Sequence, residues 1–220
     1  MKWWKRWLSY LIPVHLESVS SEYNETLDLY LINNRLRLTT LDAIYSFDDR
    51  YYNFHQTFRQ ITLPRNGSRV LILGLGLGSI AYMLEHTFHR EYHYTAVEID
   101  ESVLYFFSKY QQKRLVSPIE IIQTDARDFM AVNEQKFQLI CIDIFIGEVV
   151  PDHIKSDQFI RWIKDALSPS GRVLWNMLYA TRRQMREVNE FIELHFSVYF
   201  PEYYTLEVLG NVLISNQPMK

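Results

Sequence analysis

A short apolar strand leads directly into three glycines at alternate positions. Residues 70–73 form a continuous apolar run, which is typical of a parallel strand covered on both faces. Gly74, Gly76 and Gly78 follow, and a helix-like stretch comes after them. Glycines let the backbone approach a ligand closely, and the first amides of the helix then face that ligand. The pattern predicts a nucleotide-binding turn, with tight packing of strand against helix as the alternative.

Strand-like and helix-like segments alternate from this turn onward. The pattern predicts strands at 69–73, 94–99, 119–123, 137–144 and 172–178, helices at 101–113, 157–167 and 181–195, and a closing hairpin at 203–209 and 212–215. Such alternation specifies a mostly parallel sheet with helices on both faces. We therefore expect an α/β fold with a doubly wound sheet, to which the closing hairpin adds an antiparallel edge.

A smaller unit precedes this domain. Two alternating segments, 26–32 and 35–39, flank the pair Asn33-Asn34, which tolerates positive φ, so they predict a β-hairpin. An aromatic-rich segment at 48–60 predicts a connecting helix. We expect residues 1–62 to form this N-terminal unit and residues 63–220 to form the main domain.

The first thirteen residues combine tryptophans with cations. We expect a short helix whose tryptophans pack on the domain; the alternative is a surface segment that contacts lipid or another subunit. No small-residue cleavage site follows the segment, and no apolar run approaches the roughly 20 residues that a membrane span needs.

The composition of the chain argues against several classes of partner and site. The formal net charge of −3 gives no overall basic field, so nucleic acid is not favoured as an obligate partner. The single cysteine, Cys141, lies in an apolar run. Since the chain has no second cysteine, it cannot form an internal disulfide, which favours a reducing, cytoplasmic location. The seven histidines form no close ligand cluster, so no metal site is expected.

Three predicted strands end in or near an acid. In a doubly wound sheet the ligand lies beyond the carboxyl ends of the strands. Glu98 can accept hydrogen bonds from two ribose hydroxyls, or it is a solvated acid. Asp125 can accept from an adenine amino group, or it caps the next helix. Asp143 can orient or deprotonate an acceptor, with a structural ion pair as the alternative.

These features together resemble the S-adenosylmethionine-dependent transferases with a seven-stranded Rossmann-like fold. More narrowly, the chain resembles the spermidine synthase-like branch of that superfamily between residues 19 and 178. The motifs that carry the resemblance are the glycine turn, Ser20-Ser21-Glu22-Tyr23-Asn24, Asp48-Asp49-Arg50-Tyr51-Tyr52, Val97-Glu98-Ile99-Asp100, Thr124-Asp125-Ala126-Arg127-Asp128-Phe129 and Ile142-Asp143.

The resemblance implies a set of site residues. Asp143 would be catalytic, and S-adenosylmethionine, its decarboxylated form or methylthioadenosine would be held by Gly74, Leu75, Gly76, Gly78, Glu98, Ile99, Asp125 and Ala126. The pocket for a small-molecule acceptor would include Tyr23, Asn24 and Tyr52. The loop residues Glu148 and His153 would join it if their loop folds over the site, with a solvated acid and a structural or surface histidine as the alternatives. The hairpins of this branch often form subunit contacts, so a homodimer is implied as well.

The chain departs from the pattern of the polyamine-forming members in three motifs. Leu77 stands where their turn commonly has an acid, their Tyr-His-Glu trio aligns with Tyr52-Asn53-Phe54, and Ile146 replaces a second aspartate. A buried ammonium without a paired carboxylate is costly, so these departures argue against a polyamine acceptor. The sequence hypothesis is therefore methyl transfer, with aminopropyl transfer from the decarboxylated donor or a non-catalytic binding module as alternatives and dinucleotide-dependent oxidoreduction as a more distant one.

Overall fold

Two sheets organise the chain. The computed structural model describes residues 3–40, 44–147 and 149–220. Its strands are β1 (Val14–Val19), β2 (Leu27–Ile32), β3 (Arg35–Thr39), β4 (Ile44–Ser46), β5 (Arg69–Leu73), β6 (His93–Glu98), β7 (Ile119–Gln123), β8 (Phe137–Ile142), β9 (Leu167–Leu178), β10 (Tyr204–Val208) and β11 (Asn211–Ser215). Its α-helices are α1 (Trp3–Leu8), α2 (Tyr52–Arg59), α3 (Ser79–His86), α4 (Glu101–Phe106), α5 (Ala126–Val132), α6 (Asp157–Ala166), α7 (Arg182–Phe191) and α8 (Ser197–Tyr199).

The larger sheet confirms the predicted Rossmann-like fold. Its seven strands run in the order β10-β11-β9-β8-β5-β6-β7, with parallel pairing from β9 to β7. The closing hairpin adds an antiparallel edge to this sheet, as expected. Strand β11 is inserted between β9 and β10 and pairs antiparallel with both, and β10 is the outermost strand.

The N-terminal unit is a four-stranded antiparallel sheet in the order β1-β2-β3-β4. The predicted hairpin forms its centre, and Asn33 and Asn34 both take positive φ in the turn, as expected for this pair. Helix α1 departs from the prediction, because it has no buried residue and its tryptophans do not pack on the domain. No helix in the described part of the chain has both the length and the apolar composition that crossing a membrane requires.

The two units share their apolar cores. Leu77, in the glycine turn, is only 1% exposed and lies in a cluster with the inward-facing leucines of β2 and β3 and with Val103 and Phe106 of α4. Helix α2 packs in turn on the larger domain, where Phe54 and Phe58 join the apolar cluster of β5 and α3. Leu77 is therefore buried at the contact between the two units.

The helix predicted at 101–113 is regular only as far as Phe106. A π-helical turn covers Phe107–Gln111 and a short 3₁₀ turn covers Gln112–Arg114. The widened turn buries the Phe107 ring against Gly78, where an added Cβ would lie 2.6 Å from the ring. It also lets the Gln111 amide donate to the buried Asp48 carboxylate at 3.0 Å.

We predict that Leu77→Asp destabilises the protein instead of adding an acid to the ligand site. The new carboxylate would lie among leucines without a counter-ion, so the free energy of unfolding should fall by at least about 4 kcal/mol. Leu77→Met, which conserves volume, should cost less than about 1.5 kcal/mol. Denaturant unfolding of the three proteins measures both values, and equal stability of the two variants would contradict the packing of Leu77.

Candidate active site

A cleft of about 360 Å³ opens at the carboxyl ends of the parallel strands. This volume falls within the roughly 300–1,000 Å³ typical of small-molecule sites. The lining comes from both units: Ile44, Tyr45, Tyr51 and Asn53 from the first, and Gly74, Gly76, Val97, Glu98, Ile99, Thr124, Asp125, Ala126, Asp143, Ile144, Phe145, Ile146, Gly147, Pro151, His153, Ile154, Leu178 and Asn211 from the second.

The glycine turn is joined to the end of β6 by Glu98. One carboxylate oxygen of Glu98 accepts from the Gly76 N–H at 2.9 Å, and the other accepts from the N–H groups of Ile99 and Asp100 at 3.0 and 3.1 Å. Burial nevertheless raises the pKa of Glu98 above its ordinary value. A carboxylate has about four acceptor positions, so one remains for a ligand hydroxyl at the cleft.

Gly74 lets the turn lie directly against the end of β8. Its φ is +86°, and an added Cβ would stand 2.1 Å from the Asp143 carbonyl oxygen. The Asp143 N–H donates to the Leu73 carbonyl at 2.8 Å and continues the pairing of β5 with β8 up to this point. Only glycine fits here, and the close approach brings Asp143 beside the turn.

The Asp143 carboxyl is held by two neutral donors. Its Oδ1 accepts from the Asn176 amide at 2.8 Å and from the Tyr51 hydroxyl at 3.2 Å. Burial raises the pKa of Asp143 to about 6, and these two hydrogen bonds oppose that rise only partly. The pKa of Tyr51 is raised well above 10 by burial and by the neighbouring carboxylate, so Tyr51 stays a donor. Asp143 is thus oriented without an ion pair.

The closing hairpin fixes the orientation of Asn176. The Asn211 side-chain amide donates to Asn176 Oδ1 at 3.0 Å, so the Asn176 amide group points at Asp143. Asn176 lies on β9 and is 1% exposed, and Asn211 begins β11, the inserted strand. The antiparallel insertion therefore completes a chain of side-chain hydrogen bonds that ends at the carboxylate.

Asp125 combines two contacts at the start of α5. Its Oδ1 accepts from the Arg127 N–H at 2.7 Å, so the residue is the helix cap that the sequence left open as an alternative. Its Oδ2 lies 3.2 Å from His153 Nε2. His153 comes from the segment before α6 and lines the cleft, so this pair closes the cleft beside Ala126.

Tyr45 ties the N-terminal unit to the loop after β8. Its hydroxyl lies 3.1 Å from Asn24 Oδ1, and it accepts from the Gly147 N–H at 3.2 Å. Asn24 does not line the cleft but orients the tyrosine that does. This small unit is consequently part of the wall of the cleft.

The described lining is acidic. Glu98, Asp125 and Asp143 contribute carboxyl groups, and none of the described lining residues is a lysine or an arginine. A cationic ligand would find partners there, whereas a phosphate would find none with positive charge. The described residues also contain no group of three or more His, Cys, Asp and Glu side chains that could hold a metal ion.

Most of the residues that the sequence assigned to a donor do meet in the cleft. The lining includes Gly74, Gly76, Glu98, Ile99, Asp125 and Ala126, and it also includes Asp143, which was assigned to catalysis. Leu75 and Gly78 lie outside it, since Leu75 is buried in the core and Gly78 packs on Phe107.

The residues assigned to the acceptor pocket do not all line the cleft. His153 lines the cleft, whereas Tyr52 does not and is 48% exposed, because α2 turns its neighbours Tyr51 and Asn53 inward. Tyr23 also lies outside the lining, although its pKa is raised by burial and by surrounding carboxylates that include Asp125. Glu148 lies outside the described residues.

Sequence reasoning missed four side chains of the site. Asn176 carried a usable signal, because it is the one amide inside the apolar run of β9. Tyr51 was part of a quoted motif, but the sequence favoured its neighbour Tyr52. Tyr45 and Asn211 have no local signal, since only the docking of the N-terminal unit and the insertion of β11 bring them to the cleft.

Similar proteins were found by sequence. The chain is 27% identical over 115 residues to a probable polyamine aminopropyl transferase of Bifidobacterium longum, which covers 52% of this chain and 25% of that protein. It is 28% identical over 143 residues to a polyamine aminopropyltransferase of Vibrio vulnificus, which covers 64% of this chain and 46% of that protein. The chain thus spans between a quarter and a half of the length of these relatives. No protein-family profile matches it.

Similar folds were found among solved structures. A probable spermidine synthase from Corynebacterium glutamicum superposes with a TM-score of 0.68 at 14% identity, over 93% of this chain and 79% of that one. Human methyltransferase-like protein 13, solved in complex with SAH, superposes with a TM-score of 0.57 at 20% identity, over 68% and 71% of the two chains. Identities this low show a shared fold. Together with the sequence relatives, they confirm the resemblance to the spermidine synthase-like branch.

We predict that Asp143→Asn raises stability at neutral and alkaline pH. The folded-state pKa of about 6 lies above the ordinary value of 3.8, so the native protein carries a desolvated charge above pH 6 that the amide lacks. As the pH falls through 6 toward 4, the native carboxyl takes up a proton before the unfolded one does, and the wild type gains stability.

The difference in melting temperature between Asp143→Asn and the wild type should therefore be largest at alkaline pH and shrink toward pH 5. Thermal unfolding across this range measures it, with Asp165→Asn on the exposed face of α6 as the matched control. A variant less stable than the wild type at pH 8 would contradict the burial of this charge.

Proposed function

We propose that the chain binds an adenosyl sulfonium donor in the cleft and transfers its aminopropyl group to an amine. The observation that carries the proposal is an acidic cleft, lined by three carboxyl groups and no described lysine or arginine, at the end of a Rossmann-like sheet. The names of the sequence relatives support the choice of transferred group.

The cleft suits the nucleoside end of such a donor. Glu98 has one acceptor position left for a ribose hydroxyl, and its other positions hold the turn in place. We assign the adenine edge to Asp125 and the backbone of Ala126, provided that the Asp125 carboxylate gives up or shares its contact with His153. Gly76 lines the cleft beside the turn.

Asp143 is the residue that we assign to the acceptor. A carboxylate with a pKa of about 6 is largely ionised at pH 7.5, so it can accept a hydrogen bond from the attacking amine and hold its lone pair in line. Tyr51 and Asn176 are positioning residues, because both hydrogen-bond the carboxylate and neither competes for a proton. The apolar side chains of Ile144, Phe145 and Leu178 keep water from the same space.

The donor supplies a carbon already activated by the positive sulfur. The amine nitrogen forms a bond to the methylene carbon, the carbon–sulfur bond breaks, and its electron pair stays on sulfur, giving methylthioadenosine. The nitrogen then releases one proton, which Asp143 or water accepts. The main contribution of the chain is alignment of the two reactants and attraction of their charges.

Aminopropyl transfer takes the first place that the sequence hypothesis had given to methyl transfer. Leu77 and Ile146 argued for methyl transfer because each replaces an acid of the polyamine-forming members. Leu77, however, is buried at the contact between the two units, so its side chain does not indicate which donor the cleft binds. The sequence relatives are aminopropyltransferases, and the cleft has other acids to receive a cationic amine.

Methyl transfer is the second candidate function, and one observation favours it. Ile146 lines the cleft on the acceptor side and, like Ile144 and Phe145, offers no charge there. A smaller or less charged acceptor would suit that wall. The two candidates share the nucleoside end and differ in the donor that they accept.

We predict that the decarboxylated donor binds more tightly than S-adenosylmethionine. The carboxylate of the intact donor would enter a cleft that already holds three carboxyl groups, so the affinities should differ by at least about tenfold. Calorimetry with both donors and with methylthioadenosine measures this, and Glu98→Gln should weaken all three. Equal or tighter binding of S-adenosylmethionine would favour methyl transfer.

We predict that kcat/KM rises with pH through about 6, because the amine acceptor needs the Asp143 carboxylate. Asp143→Asn should lower kcat by about 10²- to 10⁴-fold while donor binding persists. Asp165→Asn, on the exposed face of α6, is the control for a simple loss of charge. Donor binding without turnover in the wild type for any amine or methyl acceptor would favour a non-catalytic module.

A further inference from the structure

We propose that the N-terminal segment binds the surface of an anionic lipid bilayer. The surface concerned, called the aromatic patch here, consists of six large side chains within ten residues: Trp3, Trp4, Trp7, Tyr10, Leu11 and Ile12. It lies on the N-terminal unit and contributes no residue to the cleft, so the inference is independent of the proposed function.

The aromatic patch is as large as the largest apolar patch of a typical folded monomer. Trp3 is 74% exposed, Trp7 71% and Leu11 82%. At the roughly 150–250 Å² that an aromatic side chain buries when covered, its four aromatic residues expose on the order of 500 Å². The largest apolar patch of a typical monomer reaches about 300–600 Å² and is often functional. This patch reaches that size within one short segment.

The patch is held in a fixed position at the end of the smaller sheet. Ser9, which is 2% exposed, follows α1 and accepts the Asn33 N–H on its carbonyl at 2.7 Å and the Asn34 N–H on its hydroxyl at 2.9 Å. Leu8 packs against the apolar core of the same unit. These contacts hold the segment on the β2–β3 turn and leave the aromatic side chains outward.

The charged residues of the N-terminal segment itself have a single sign. Residues 1–16 contain two lysines and one arginine and no acid. Lys5 lies 5.9 Å from the Trp4 ring, and a shallow concavity of about 410 Å³ beside the helix is lined by Arg6, Trp7, Tyr10 and Asn34. A phosphate headgroup would meet a guanidinium and amide and hydroxyl donors in that concavity.

An anionic bilayer fits this combination better than a second copy of the chain. Tryptophan and tyrosine favour the membrane–water interface, because their rings are apolar and each carries one polar group. Lysine and arginine nearby are attracted to anionic headgroups. A symmetric dimer through the same patch would bring Lys5 and Arg6 of one copy toward the same cations of the other, and repulsion would oppose it.

Vesicle flotation of the intact chain tests the proposal. The probes are vesicles of phosphatidylcholine alone and vesicles with about 30% phosphatidylglycerol, and we expect at least about tenfold stronger binding to the anionic vesicles. Raising the ionic strength from about 0.1 M to about 1 M, which shortens the screening length from about 10 Å to about 3 Å, should weaken that binding.

Two variants separate the apolar and electrostatic parts. The double substitutions Trp3→Ala with Trp7→Ala, and Lys5→Glu with Arg6→Glu, should each lower binding by at least about tenfold. The matched control is Leu194→Ala with Val198→Ala, which removes two side chains that are 58% and 65% exposed at the far end of the chain. This control should bind as the wild type does. Thermal unfolding and donor binding should be unchanged in all three variants.

Three results would overturn the proposal. The first is absence of binding to anionic vesicles by a wild-type protein that unfolds cooperatively. The second is equal binding to both kinds of vesicle. The third is a concentration-dependent dimer in sedimentation velocity that disappears in Trp3→Ala with Trp7→Ala, since a second copy would then cover the patch. None of these results bears on donor binding in the cleft.

Discussion

The contact between the Gly74 backbone and the end of β8 sets the geometry of the cleft. With no Cβ at Gly74, the Asp143 carbonyl lies in the space that a side chain would need, and the paired strands β5 and β8 end side by side. The turn after β5 is joined to β6 through the Glu98 carboxylate. Three strand ends are thereby brought to one point, and the nucleoside and acceptor groups proposed here both depend on that meeting.

The N-terminal unit closes this arrangement from the other side. Tyr45 lies on β4, and its hydroxyl contacts the loop after β8. Tyr51 directly precedes α2, and its hydroxyl donates to the Asp143 carboxyl. The shared apolar core around Leu77 keeps the two units in this relation. The unit that precedes the Rossmann-like domain is therefore structural support for the cleft and also part of its wall.

Burial and hydrogen bonding have opposite effects on the carboxyl groups of the cleft. Burial raises the pKa of Asp143 to about 6, while two neutral donors keep the carboxylate form accessible at neutral pH. A positively charged ligand would relieve the cost of that buried charge. Stability and ligand binding are consequently opposed at this residue, as is common where a charge is kept in an apolar site.

The sequence by itself determined the α/β class, the parallel strands with their glycine turn, and the acids at the strand ends. These features are local, because apolar periodicity and glycine spacing report directly on strands and turns. Only the tertiary structure decided the rest: that Leu77 faces a core, that Tyr51 and not Tyr52 enters the cleft, and that Asn211 reaches Asn176. Each of those outcomes depends on how distant segments pack, and neighbouring residues in a sequence carry no information about that packing.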